Sequence, residues 1–171
     1  RIAREWLAPA NGDGVQSDEV RSDVAQLVAW DLYGGVGLFV PALAEVTAPQ
    51  GGHTTVYSVD YSPAASGAQP GLEGIDVEFR TATVEEVAAQ LPKPVSVILD
   101  PPRTGAGADV IAAVAAAEPR KVLHVGCDPA TFARDLAAWS EHGYRLQRLA
   151  MVNAFPGTHH FETLALLVPA A

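Results

Sequence analysis

The feature that most constrains the fold is the last pair of apolar runs, Arg145 to Val152 and Phe161 to Val168, which only Asn153 to His160 separates. A parallel crossover needs about a dozen residues or more, usually a helix, so these two runs are expected to pair antiparallel. Everything upstream reads the other way. Runs rich in Val, Leu and Ile at Leu27–Leu32, Thr55–Asp60, Ile75–Phe79, Val95–Leu99 and Lys121–Val125 alternate with stretches of helical character at Leu38–Glu45, Val84–Gln90, Ala108–Glu118 and Pro129–His142. Such alternation is the pattern of a parallel sheet covered by helices. The sequence therefore predicts an α/β fold, a mostly parallel seven-stranded sheet ending in an antiparallel hairpin. Ala64 to Gly74 reads as a short helix with a loop. The first 25 residues carry no strong pattern and are either the end of a preceding domain or a helix docked on the sheet, which leaves residues 26–171 as the domain proper.

A chain of 171 residues is of the right size for one domain with its own core. No apolar run approaches the roughly 18 residues of a membrane span, and the first residues lack a signal-peptide pattern, so a cytoplasmic protein without membrane contact is expected. Cys127 is the sole cysteine, which excludes an internal disulfide and a cysteine-built zinc site. The net charge of −9 argues at first against a nucleic-acid partner, because Lys and Arg carry most phosphate binding. The charge is unevenly spread. Residues 1–100 hold 14 acidic against 5 basic side chains, which accounts for all of it, whereas residues 101–171 hold 6 of each. The near-neutral part, with Arg103, Arg120, Lys121, Arg134, Arg145 and Arg148, is the part suited to face RNA. No feature points to a stable protein partner.

Asp31 to Phe39 spans the turn from the first strand into the first helix, and its Gly35 and Gly37 allow positive φ and close approach to a ligand. The second strand ends in Asp60, where a carboxylate accepts hydrogen bonds from ribose hydroxyls. The turn lacks a Gly-x-Gly-x-x-Gly match, which, with the terminal hairpin, disfavours a dinucleotide and a nicotinamide-dependent oxidoreductase. Asp100-Pro101-Pro102-Arg103 ends the fourth strand at the carboxyl edge, where ligands bind in open α/β sheets. One strand later, Asp128 reads as a helix N-cap and Pro129 as the first helical residue, so Cys127 stands just before the positive end of a helix, which favours an anion. Glu162 follows the hairpin loop at the start of the last strand, where a carboxylate is costly unless solvated or used. His159 and His160 point to opposite faces and lack a third partner, so they read as polar loop residues and no metal is expected.

Asp-Pro-Pro-Arg-x-Gly at 100–105, Gly-Cys-Asp-Pro-Ala-Thr-Phe-Ala-Arg-Asp at 126–135 and Phe-Pro-x-Thr-x-His-x-Glu at 155–162 resemble, in order, the motif set of the RNA 5-methyluridine methyltransferases. With Asp31 to Phe39, the resemblance covers about residues 27–168. It implies a Rossmann-like class I methyltransferase fold, S-adenosylmethionine as cofactor and a uridine of tRNA or rRNA as substrate. By the same resemblance Cys127 is the nucleophile, Glu162 the base, and Tyr33, Leu38, Asp60, Thr83 and Asp100 cofactor contacts. Gly34 stands where the family often has cysteine, a change that a backbone turn should absorb. The remaining alternative is a non-catalytic RNA-binding or scaffold domain derived from a methyltransferase, for which the acidic charge speaks and against which the intact Cys127 and Glu162 speak.

Overall fold

The computed structural model describes residues 1–8, 26–47, 52–62, 70–154, 156–157 and 161–170. Their elements are α1 (Ile2–Leu7), β1 (Leu27–Leu32), α2 (Val40–Thr47), β2 (Thr54–Asp60), β3 (Asp76–Thr81), α3 (Val84–Val87), β4 (Ser96–Leu99), α4 (Ala108–Ala116), β5 (Lys121–Gly126), α5 (Pro129–Glu141), β6 (Tyr144–Val152) and β7 (Glu162–Pro169). The strands form one sheet in the order β3-β2-β1-β4-β5-β7-β6. All pairings from β3 to β5 are parallel, and β7 runs antiparallel to both β5 and β6. This is the mostly parallel sheet with a terminal hairpin that the spacing of the last two runs predicts.

Strand alternation divides the core into two layers. On one face Trp30, Leu32, Val97, Leu99, Val122 and Leu167 meet Val110, Ile111 and Val114 of α4 and Trp139 of α5. On the other, Ala29, Val56, Ile98, Leu123 and Leu166 meet Leu43 and Val46 of α2 and Ala3 and Leu7 of α1. Burying an aliphatic side chain of this size contributes about 1.5–3 kcal/mol, so both layers are needed for stability. The helix at the N-terminus thus packs on the sheet. Residues 9–25 and most of Ala64 to Gly74 lie outside the described residues.

Several boundaries differ from the sequence expectation for identifiable reasons. The helix expected from Leu38 begins at Val40, because Gly37 takes φ 81° and the segment before Val40 is a turn. Pro41, which needs no N–H partner in a first helical turn, marks that start. Expected through Gln90, the next helix is one α turn followed by one 3₁₀ turn at Ala88–Gln90. Pro92 holds Leu91 extended and stops it there. The helix of residues 108–118 ends at Ala116, and Glu118, just before Pro119, has φ 57°.

Candidate active site

Parallel strands deliver their carboxyl ends to one edge of the sheet, and the strand order reverses between β1 and β4, where open α/β sheets form their ligand crevice. All nine residues singled out from the sequence lie at this edge. Tyr33, Gly35, Gly37 and Leu38 follow β1, Asp60 ends β2, Thr83 stands two residues after β3, Asp100 follows β4 and Cys127 follows β5. Glu162 begins β7, whose antiparallel direction brings its start to the same edge.

The turn after β1 is tightly wound. Tyr33, Gly35 and Gly37 have φ of 60°, 54° and 81°, a conformation costly for tyrosine and open to glycine. Gly34 donates its N–H to the Val59 carbonyl at 3.1 Å, and Gly37 donates to the Gly34 carbonyl at 2.8 Å. Gly34 itself is not interchangeable with a larger residue here. A Cβ at this position would stand 2.4 Å from Ser58 Oγ and 2.6 Å from Asp31 Oδ2, so the space is already filled by this chain's own side chains. Leu38 is 76% exposed, and with Val36 and Tyr61 it leaves apolar surface beside the turn uncovered.

Asp60 is held by two backbone amides. Oδ2 accepts the Gly35 N–H at 3.0 Å and Oδ1 accepts the Ser62 N–H at 2.8 Å. Each oxygen keeps a second lone pair, and the carboxylate is oriented before any ligand arrives. Thr83 is the N-cap of α3, with its N–H donating to Glu86 Oε2 at 3.0 Å.

Asp31 is the residue that the sequence reading passed over. It shares the apolar sheet face of Ala29, is fully buried, and accepts one hydrogen bond from the Ser58 hydroxyl at 3.3 Å. Its Oδ1 has no partner among the described residues. Burial, together with the nearby Asp100 and Asp60 carboxylates and against the Ser58 bond, pushes its pKa up to about 7. The available signal was the alternation itself, which puts Asp31 where an apolar residue is due. Asp100 is pushed up to about 6, by loss of solvation first and then by the Glu162 carboxylate. Three carboxylates, Asp60, Asp100 and Glu162, thus stand at one edge, with Asp31 buried behind them, and the pKa values of Asp31 and Asp100 are raised.

Cys127 stands between β5 and α5 and is half-buried. The expected cap is present: Asp128 accepts from the N–H groups of Ala130 at 3.0 Å and Thr131 at 2.9 Å, and Pro129 is in the first turn. Gly126 opposes Thr163 in the β5–β7 pairing, so one further residue sets Cys127 level with Glu162. At Gly126 a Cβ would lie 2.5 Å from the Phe132 ring, which explains glycine before the cysteine. Of the third motif, Phe155 and Thr158 to His160 lie outside the described residues.

The family model for tRNA (uracil-5-)-methyltransferases matches residues 83–169. An uncharacterized RNA methyltransferase of Corynebacterium glutamicum is 54% identical over 142 residues, 82% of this chain and 33% of that protein. The chain spans about a third of the length of the curated relatives it matches. Among solved structures, the Pyrococcus abyssi tRNA (uracil-54, C5)-methyltransferase in complex with S-adenosyl-L-homocysteine is 31% identical at TM-score 0.68, over 84% of this chain and 34% of that one. An rRNA methylase from Streptococcus thermophilus, 13% identical, shares the fold at TM-score 0.68 over 99% of this chain and 95% of its own. The fold is that of the class I methyltransferases, and the chain belongs to the tRNA (uracil-5-)-methyltransferase family.

Proposed function

We propose that residues 26–171 are the catalytic domain of an S-adenosylmethionine-dependent RNA methyltransferase that modifies carbon 5 of a uridine in tRNA or rRNA through an adduct on Cys127. The observation that carries this reading is the meeting of Asp100, Cys127 and Glu162 at the edge that also bears the glycine turn and Asp60. The donor set fits the cofactor. Asp60, fixed by the Gly35 and Ser62 amides, has lone pairs for a ribose diol, and the carboxylates of Asp60, Asp100 and Glu162 suit a sulfonium cation. The same carboxylates would repel a pyrophosphate, which disfavours a nicotinamide dinucleotide. Tyr33, Gly35, Gly37, Leu38 and Thr83 complete the cofactor surface, and S-adenosylmethionine bound there supplies an electrophilic methyl group.

A uracil carbon 5 is too weak a nucleophile by itself. The Cys127 thiolate adds to carbon 6, forming an S–C bond and shifting the ring's electron pair toward the carbon 4 oxygen, so that carbon 5 becomes an enolate carbon able to accept the methyl group. Glu162 then takes the carbon 5 proton, the ring double bond re-forms, and the S–C bond breaks to return the thiolate. Asp100, beside Glu162, keeps the base in line. The target uridine must be unstacked to reach this edge.

Glu162→Gln, with the base removed, should accumulate a covalent protein–RNA species visible on a denaturing gel with labelled RNA. Cys127→Ala should give neither adduct nor methylation while it still binds cofactor. Full turnover by either variant would overturn the assignment. A non-catalytic domain derived from a methyltransferase requires that the unaltered chain transfer no methyl group at all.

A further inference from the structure

We propose that Thr131, Arg134 and Asp135 of α5 form a positioning clamp that presents Asp100 and Cys127 to the base as one rigid unit, an inference that rests on the methyltransferase reading above. The loop Arg103–Gly107, which follows Asp100-Pro101-Pro102, would otherwise leave its backbone groups to solvent. Instead, side chains from little more than one turn of α5 take them up. The Thr131 hydroxyl donates to the Arg103 carbonyl at 2.9 Å, and Arg134 Nη2 donates to the Thr104 carbonyl at 2.7 Å. Asp135 Oδ2 accepts the Ala106 N–H at 2.7 Å, and its Oδ1 lies 3.4 Å from the Gly107 N–H. Gly105 leaves room for the whole arrangement: a Cβ there would lie 2.4 Å from Arg134 Nη2 and 2.5 Å from Asp135 Oδ2.

Asp135 is 1% exposed, and a buried carboxylate is retained only where hydrogen bonds and a cation compensate it. Arg134, at 2.9 Å from its Oδ1, supplies the cation. Behind it, His124 of β5 accepts the Trp139 Nε1–H on Nδ1 at 3.0 Å, and its Nε2 lies 3.6 Å from Asp135 Oδ2. Burial holds His124 well below its ordinary range, at about 4, so it stays neutral. The network therefore ties β5, which ends next to Cys127, through α5 to the loop that carries Asp100. Neither Thr131, Arg134 nor Asp135 is placed to touch the base in the mechanism above, and their effect is exerted through the loop.

Thr131→Val removes the hydroxyl at nearly constant volume from a half-buried site, and Thr131→Ser keeps it. Because Cys127 is the sole cysteine, its alkylation by iodoacetamide reports on this site alone. The expected result for Thr131→Val is a methyl-transfer rate constant lower by roughly 10- to 100-fold, the effect of about 1 Å of misplacement. Cofactor affinity and Tm should stay within twofold and a few degrees, the alkylation rate should change, and Thr131→Ser should restore both rates. Asp135→Asn should go further and speed hydrogen exchange at the Ala106 and Gly107 amides. Unchanged transfer and alkylation rates in Thr131→Val, or a loss that Thr131→Ser fails to restore, would overturn the clamp. Absence of transfer by the unaltered chain would instead strike the methyltransferase reading.

Discussion

Replacing Asp31 with asparagine should make the chain more stable at pH 8 and almost erase part of its pH dependence. Asp31 is wholly buried, has one hydrogen bond and one orphaned oxygen, and its pKa rises from 3.8 to about 7 on folding. Between those values the folded chain keeps a proton that the unfolded chain gives up, so stability is fully present below about pH 4 and is lost progressively until about pH 7. A rise from 3.8 to about 7 corresponds to a penalty on the order of 4 kcal/mol on the ionised form, a large part of the ~5–15 kcal/mol that a domain has. Asparagine cannot ionise, but its amide leaves one polar atom unpaired at a cost of about 1–3 kcal/mol. The net expectation is a gain of about 1–3 kcal/mol at pH 8 and no gain at pH 5. Urea unfolding of both proteins at the two pH values measures this, and Asp100, present in both, cancels to first order. Parallel pH profiles, or a less stable variant at pH 8, would refute the assignment of that buried charge. The same substitution should weaken S-adenosylmethionine binding at pH 8 more than that of its demethylated product, whose sulfur carries no charge.

Asp60→Ala should weaken S-adenosylmethionine binding at least tenfold in calorimetric titration while leaving Tm nearly unchanged; tight nicotinamide nucleotide binding in its place would contradict the site. Gly34→Ala should cost about 1–3 kcal/mol by overpacking against Ser58 and Asp31, and Ser58→Ala should recover part of it. Strictly additive unfolding energies for the two changes would count against that contact. RNA binding by the isolated chain should be weak, little selective and only shallowly salt-dependent, since 11 basic residues neutralise few phosphates. Submicromolar, sequence-selective binding at physiological salt would show that recognition is built into these residues.

The parts of the fold most readily read from the sequence are those set by covalent reach and strand period. The short link before the last strand dictated antiparallel pairing, and the run Leu27 to Leu32, ended by glycines, gave β1 with its observed bounds. The start of α2 was harder, because the left-handed turn at Gly37 keeps Leu38 and Phe39 out of the helix despite their apolar character. At the candidate site, residues at strand ends were recognisable because the topology collects them. Asp31 and Asp135 were not. An acid in a strand or on an amphipathic helix usually reads as solvated, and only tertiary packing reveals that both are buried, one for want of partners and the other amid several. Gly34 illustrates the same limit, since its neighbours Ser58 and Asp31 come from two adjacent strands.

One irregularity in the terminal hairpin shapes the whole edge. Leu146 opposes Leu167, yet Arg148 opposes Leu166, so Gln147 is an extra residue in β6. A single insertion in a strand reverses which side every later residue faces. Before it, Tyr144 drops into the α5 layer, with its ring 5.2 Å from Trp139 and its hydroxyl donating to the Pro119 carbonyl at 2.8 Å. Beyond it, Arg148 turns to the opposite layer and stands 6.0 Å over the Trp6 ring of α1. Gln147 therefore works as a phase shifter, letting one strand serve two helices on opposite sides. Deleting it would leave Arg148 directly after Leu146 in an unbroken ladder, still opposite Leu166 and on the Trp6 side, whereas pairing Gln147 regularly with Leu166 would set Arg148 opposite Ala165, on the α5 side, and unseat the cation from Trp6.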